Sequence, residues 1–221
     1  MRTKTLLLAA ALTAAGIAST MAQSNVYSLN VVGYVNVTYG TGFTLVSTPL
    51  NNANNAVSNL LANVPLGSTV YKFAGGNFVL NNLDEDGAGW QNPTDDLSPG
   101  TGYFVRNVSG TPYTNTYVGE VLKGNLTVAV GPGFSLVGSK VPQAAKSQVL
   151  GVNPGLGDSI YRFAGGNFVI YNFDEDGAGW GGGPPEPGLT EGPDIAVAEG
   201  FFFRNVSILN NATFTRNFTI P

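Results

Sequence analysis

Val70–Trp90, VYKFAGGNFVLNNLDEDGAGW, returns as Ile160–Trp180, IYRFAGGNFVIYNFDEDGAGW, with 16 of 21 positions identical at an offset of 90 residues. A repeat at fixed spacing constrains the architecture before any local pattern does, because two copies of one sequence favour two copies of one packing solution. The likeness continues on both sides. Val32–Phe43 matches residues 123–134 at an offset of 91, keeping Gly33, Val37, Gly40, Gly42 and Phe43. Phe104 and Arg106-Asn107-Val108-Ser109 match Phe202 and Arg204-Asn205-Val206-Ser207 at an offset of 98. The growing offset places an eight-residue insertion in the Gly/Pro-rich stretch 181–194, which reads as a surface loop.

The chain begins with a different kind of segment. Arg2 and Lys4 precede the apolar run Leu6–Ala18, and Thr20-Met21-Ala22 supplies small residues for cleavage. This is the pattern of a secretory signal peptide, and it predicts export to the periplasm or beyond the cell. No later apolar run is long enough to predict a membrane-spanning helix. The expected division is therefore a signal peptide over residues 1–22, a first β unit over 23–120 and a second over 121–221.

Outside the leader, eight basic residues stand against fourteen acidic ones, a formal charge of −6. A nucleic-acid partner is not expected, since no basic stripe exists to displace counterions from phosphates. The chain has neither histidine nor cysteine. Ser-His-Asp and Cys-His nucleophiles, His-ligated zinc and disulfide staples are all excluded on that ground.

Alternation of apolar and polar residues predicts strands at Phe43–Ser47, Val70–Phe73, Phe78–Leu80, Tyr103–Arg106 and Leu126–Val130. Gly75-Gly76 predicts a two-residue hairpin loop, which sets Phe73 opposite Phe78 and Tyr71 opposite Leu80. These four then form one apolar face, expected to point inward, while Lys72 and Val79 share an outer, wetter one. Tyr161, Phe163, Phe168 and Ile170 repeat that face. One short helix per unit is expected, at 55–62 and around 144–150. The fold class predicted is all-β, two tandem sandwich- or barrel-like repeats, each with one short helix.

Ser24-Asn25-Val26-Tyr27-Ser28 followed by Val31-Val32-Gly33-Tyr34-Val35 resembles the mature start of secreted tandem β-repeat proteins of environmental Gram-negative bacteria. The order Gly42-Phe43-x-Leu45-Val46, Tyr71-x-Phe73-x-Gly75, Trp90, then Leu97-x-Pro99-Gly100-x-Gly102-Tyr103-Phe104 is similar to their repeated module. The second copy departs from it, with Val197-Ala198-Glu199-Gly200 where Pro99-Gly100 would recur. The resemblance implies an all-β module and brings no catalytic residues with it.

Three sets of residues are candidates for a site. Asn82, Asp84 and Asp86, repeated as Asn172, Asp174 and Asp176, place oxygen ligands at alternate positions before a glycine, like the first half of a calcium-binding loop. Pro93 and Gly183 occupy the twelfth positions, so the closing bidentate Glu is missing and Asp95 or Asp96 would have to contribute. The alternative is a solvated acidic turn. Trp90 and Trp180, the only tryptophans, are candidate ligand contacts as sugar-stacking platforms, or else the caps of their own cores. Arg106 and Arg204 are expected to pair with a carboxylate of their own unit, or to grip a carboxylated ligand.

Duplicated loops suit repeated binding or structural turns better than one catalytic cleft. The function expected is a secreted, non-enzymatic β-repeat protein of structural or surface-associated character. The alternative is a calcium-dependent module binding an extracellular glycan or a surface protein, and a carboxylate-based glycosidase is more remote.

Overall fold

Short alternating segments between glycine turns become antiparallel strands along nearly the whole chain. The computed structural model describes residues 31–174, 176, 179–185, 187–206 and 212–220. The expected signal peptide, the Ser24–Ser28 motif, Glu175, Gly177 and Ser207 lie outside the described residues.

Strands β1 (Val32–Tyr39) and β6 (Tyr113–Glu120) pair as a ribbon. Strands β2 (Gly42–Ser47), β3 (Thr69–Ala74), β4 (Asn77–Asn82) and β5 (Gly102–Asn107) form a sheet in the order β2-β5-β3-β4. In the second half, β7 (Gly124–Val130) pairs with β15 (Ala212–Phe218) as a matching ribbon. Its sheet contains β8 (Gly133–Gly138), β10 (Ser159–Ala164), β11 (Asn167–Phe173), β12 (Trp180–Gly182) and β14 (Gly200–Asn205), in the order β12-β11-β10-β14-β8. The fold is all-β, and among the described residues no sheet closes into a barrel.

Helix is scarce for identifiable reasons. The first expected helix is a single turn, α1 (Val57–Leu60), whose first two N–H groups, unpartnered within any helix, donate to the carbonyls of Asp95 and Pro93. No helix forms around 144–150. There Ala145–Lys146 (β9) pairs with Asp194–Ile195 (β13), and Ser147 and Gln148 donate to Pro193 and Glu191. The loop inserted in the second copy folds back and takes the donors a helix would need.

The hairpin register follows from the glycine turn. Phe73 faces Phe78 and Tyr71 faces Leu80, and Phe163 and Tyr161 face Phe168 and Ile170. Gly75 and Gly76 both adopt the positive φ that this two-residue loop requires.

Both faces of the sheet pack against a core, where only the aromatic one was expected to. Val70 and Tyr103, on the Lys72 side of the sheet, are buried in the first unit's core with Tyr39, Val57, Leu61, Trp90 and Tyr117. Lys72 itself is half-buried there and donates to Asp95 Oδ1 at 2.7 Å and to the Asp96 carbonyl at 2.8 Å. The aromatic face turns instead toward the other sheet. Lys72 can sit on the core side because its stem packs while its ammonium finds two oxygens at the margin.

Ten rings meet where the two aromatic faces adjoin. Phe73 contacts Phe202 at 5.1 Å, and its counterpart Phe163 contacts Phe104 at the same distance. Phe104 and Phe202 touch each other at 6.4 Å, and each also touches Phe78 and Phe168. Most of these pairs are edge-to-face, the arrangement the ring quadrupole favours. Gly102 and Gly200 admit the close approach beside them, since a Cβ there would stand 2.8 Å from Val137 N or 2.5 Å from Val46 O.

Phe104→Ala and Phe202→Ala should each destabilise the fold by about 3–5 kcal/mol, the range for deleting a buried aromatic. Because the two rings touch, the double variant should lose less than the sum, as read from urea midpoints.

The first unit also buries a chain of hydroxyls. Tyr39 and Tyr117 are 2.6 Å apart at their oxygens, Tyr117 and Tyr103 are 2.7 Å apart, and Thr48 Oγ1 lies 3.2 Å from Tyr103. Val130 and Phe201 hold the positions of Tyr39 and Tyr103 in the second copy. Burial pushes all three phenols well above their ordinary ionisation range. An unfolded tyrosine ionises near pH ~10. The stabilising term is therefore fully present below that pH and is lost as pH rises toward the folded values. Alkaline titration of tyrosinate absorbance should show these three of the nine tyrosines ionising only together with the loss of circular dichroism.

Candidate functional site

Each large sheet carries one polar row across the aromatic face. In the first sheet Thr69 of β3 lies between Arg106 of β5 and Asn82 of β4, with Phe43 of β2 beyond Arg106. Residues in register project to the same side of a pleated sheet, so these four side chains share a face. Thr69 Oγ1 donates to Asn82 Oδ1 at 2.9 Å, and Asn82 Nδ2 donates to Gln91 Oε1 at 3.1 Å. The second sheet repeats the row as Phe134, Arg204, Ser159 and Asn172, with Ser159 Oγ donating to Asn172 Oδ1 at 2.8 Å.

The acidic loop rises from the end of this row. Leu83 bridges to Trp90 and Asp84 N donates to the Gly89 carbonyl at 3.0 Å, so the loop is closed as a small hairpin. Asp84 Oδ1 then accepts the Asp86 N–H at 2.7 Å, a turn that Asp forms readily with the backbone two residues on. Asp174 does the same, with 2.8 Å to Gly179 O and 2.8 Å from Asp176 N. The alternate acids are thus the end of a strand followed by an Asx turn.

Loop and row together enclose one open cavity per unit. The first, of about 500 Å³, is lined by Thr69, Asn82, Asp84, Glu85, Trp90 and Arg106 among others. The second, of about 540 Å³, is lined by the corresponding Ser159, Asn172, Asp174, Trp180 and Arg204.

Of the six candidate metal ligands, Asn82 with Asp84 and Asn172 with Asp174 come together at the cavities, whereas Asp86 and Asp176 do not line them. Asp95 is engaged by Lys72, and Asp96 Oδ1 accepts from Ser98 Oγ at 2.7 Å. Among the described residues no group of three or more His, Cys, Asp or Glu side chains converges. Trp90 and Trp180 each line a cavity yet are only 8% and 6% exposed, their rings packed in the cores of their units. Trp180 meets Phe173 edge-on at 5.4 Å.

The arginines differ from expectation. Among the described residues neither Arg106 nor Arg204 forms an ion pair, and Arg106 lies with its guanidinium 6.0 Å from the Phe43 ring centroid. Both remain exposed at their cavities. The sequence reading missed Thr69 and Ser159 altogether. Their signal was present, since both stand where the repeat keeps a hydroxyl opposite a kept Asn.

Comparison with known proteins finds no matching family model, curated protein or solved structure.

Acrylamide should quench the emission of Trp90 and Trp180 far less than that of free tryptophan, because both indoles are packed in cores. Quenching close to that of the free amino acid would place the rings in solvent.

Proposed function

We propose that this chain is an exported, non-catalytic binding protein whose two cavities each take a hydroxyl-rich ligand, a saccharide. The observation that carries the reading is the recurrence of the same donor and acceptor set in both cavities. Arg106 and Arg204 offer fixed N–H donors, Asp84 and Asp174 offer carboxylate acceptors, and Asn82 and Asn172 carry both kinds of group. Adjacent hydroxyls of a sugar both give and accept hydrogen bonds, so they match such a mixed wall. A purely anionic or purely cationic ligand would leave half of it unpaired.

Direct hydrogen bonding is the mode favoured over a calcium bridge, because a guanidinium on the same wall opposes a divalent cation. Export is supported by the basic and apolar leader of residues 1–22. Two equal sites also give avidity for a polymeric surface, which a single site does not. A surface-associated role is consistent with this chemistry.

Isothermal titration of the mature protein against a panel of neutral saccharides should give two sites per chain, with the same affinity in calcium and in EDTA. Arg106→Ala should reduce the stoichiometry to one, and Arg106→Ala with Arg204→Ala should abolish binding. Binding that appears only with calcium, or survives the double substitution, contradicts the reading.

A further inference from the structure

The polar row does not end at the arginine. Phe43 adjoins Arg106 in register, its ring 5.2 Å from Tyr71 and 6.1 Å from Phe104. Phe134 stands in the same place beside Arg204, 5.2 Å from Tyr161 and 6.1 Å from Phe202. Each phenylalanine is supported from below by two aromatic neighbours, yet Phe43 is 47% and Phe134 45% exposed. Phe78 and Phe168 are as exposed, at 45% each, but they also touch rings of the opposite sheet. Among the described residues Phe43 and Phe134 make no such contact, so packing between the sheets does not explain a large ring at these places.

Phe43, Arg106, Thr69 and Asn82 lie on four neighbouring strands, β2, β5, β3 and β4. At about 4.8 Å per strand the row from Phe43 to Asn82 extends about 14 Å, longer than one pyranose ring. Its two ends differ in chemistry. Asn82 with Asp84 recognises hydroxyl groups, whereas Phe43 presents a hydrophobic ring to the C–H face of a sugar. Arg106 stands between them and can donate to sugar hydroxyls on either side. In the first cavity, Asp84 and Glu85 outnumber the one guanidinium, and the chain outside the leader carries −6. An acidic polysaccharide would meet repulsion of the same sign from both.

Resting on the saccharide reading above, we infer that each site is extended and takes an uncharged oligosaccharide of at least two units. One ring occupies the cavity at Asn82 and Asp84, or Asn172 and Asp174. The next stacks on Phe43 or Phe134.

The test compares glucose, xylose and mannose with their neutral tetrasaccharides, and with tetragalacturonate, by isothermal titration of the mature protein. For the neutral sugar that binds, the tetrasaccharide should bind about tenfold more tightly than the monosaccharide, as one added aromatic contact implies. Phe43→Ala with Phe134→Ala should erase that difference. Phe43→Trp with Phe134→Trp should keep it. Equal affinity for monomer and tetramer, an unaffected alanine variant, or a preference for tetragalacturonate overturns this inference while the saccharide reading stands. Absence of binding to every neutral sugar overturns both.

Discussion

Two aromatic sheet faces meet at Phe104 and Phe202, and this contact holds the two large sheets together. Each large sheet has a core of its own beneath a two-stranded ribbon, yet each also carries an apolar row on its other face. A sheet with two apolar faces cannot leave one in water without loss, and each sheet here covers the other's. Phe73 and Phe163 reach across to the opposite central ring, and Gly102 and Gly200 let backbone approach backbone beside them. Residues 32–221 consequently form one compact unit rather than two beads on a linker. Among the described residues every ladder nevertheless lies on one side of residue 121 or the other, and only the single bridges Val46 to Glu199 and Thr101 to Val137 join them.

That contact also explains where a site can exist. It lies at the hairpin end of each face, where Phe73 and Phe163 are half-buried and Phe78 and Phe168 stay 45% exposed. The far end, with Arg106, Thr69 and Asn82, or Arg204, Ser159 and Asn172, stays open beneath the acidic loop. The loop is held by backbone bonds and an Asx turn, so Asp84 and Asp174 face their cavities in a fixed position. The same packing that joins the sheets therefore leaves two equal openings. The tryptophans serve this arrangement from underneath, filling the cores from which the loops rise.

Much of the fold was legible in the residues. Gly75-Gly76 allows one turn geometry, and the turn determines which residues stand opposite, so Phe73 with Phe78 could be read directly. That the Lys72 face also packs on a core could not, because Lys72 looks solvent-bound in sequence and its partners Asp95 and Asp96 are brought to it by a loop. Residues 144–150 carry a helical composition, but the distant segment 191–195 takes their backbone donors. At the site, the spacing of Asn82, Asp84 and Asp86 resembled a metal loop because alternate projection is shared by ligand loops and by strand ends. Asn82 and Asp84 do meet, while Asp86 only donates its backbone N–H to the turn that Asp84 caps. The neighbours of Arg106 were hidden for a geometric reason. The arginine reaches Thr69 and Asn82 only through pairing of β5, β3 and β4, and such pairing has no local signature.

On the proposal above, two equivalent polar openings, and not the outer ribbons, receive the ligand. Side-chain amide and guanidinium resonances observed by nuclear magnetic resonance during titration with a neutral tetrasaccharide test it most directly. With both openings filled, Asn82, Gln91 and Arg106 should shift together with Asn172 and Arg204, saturating at two ligands per chain. Shifts confined to the ribbons, or to one copy alone, would contradict it.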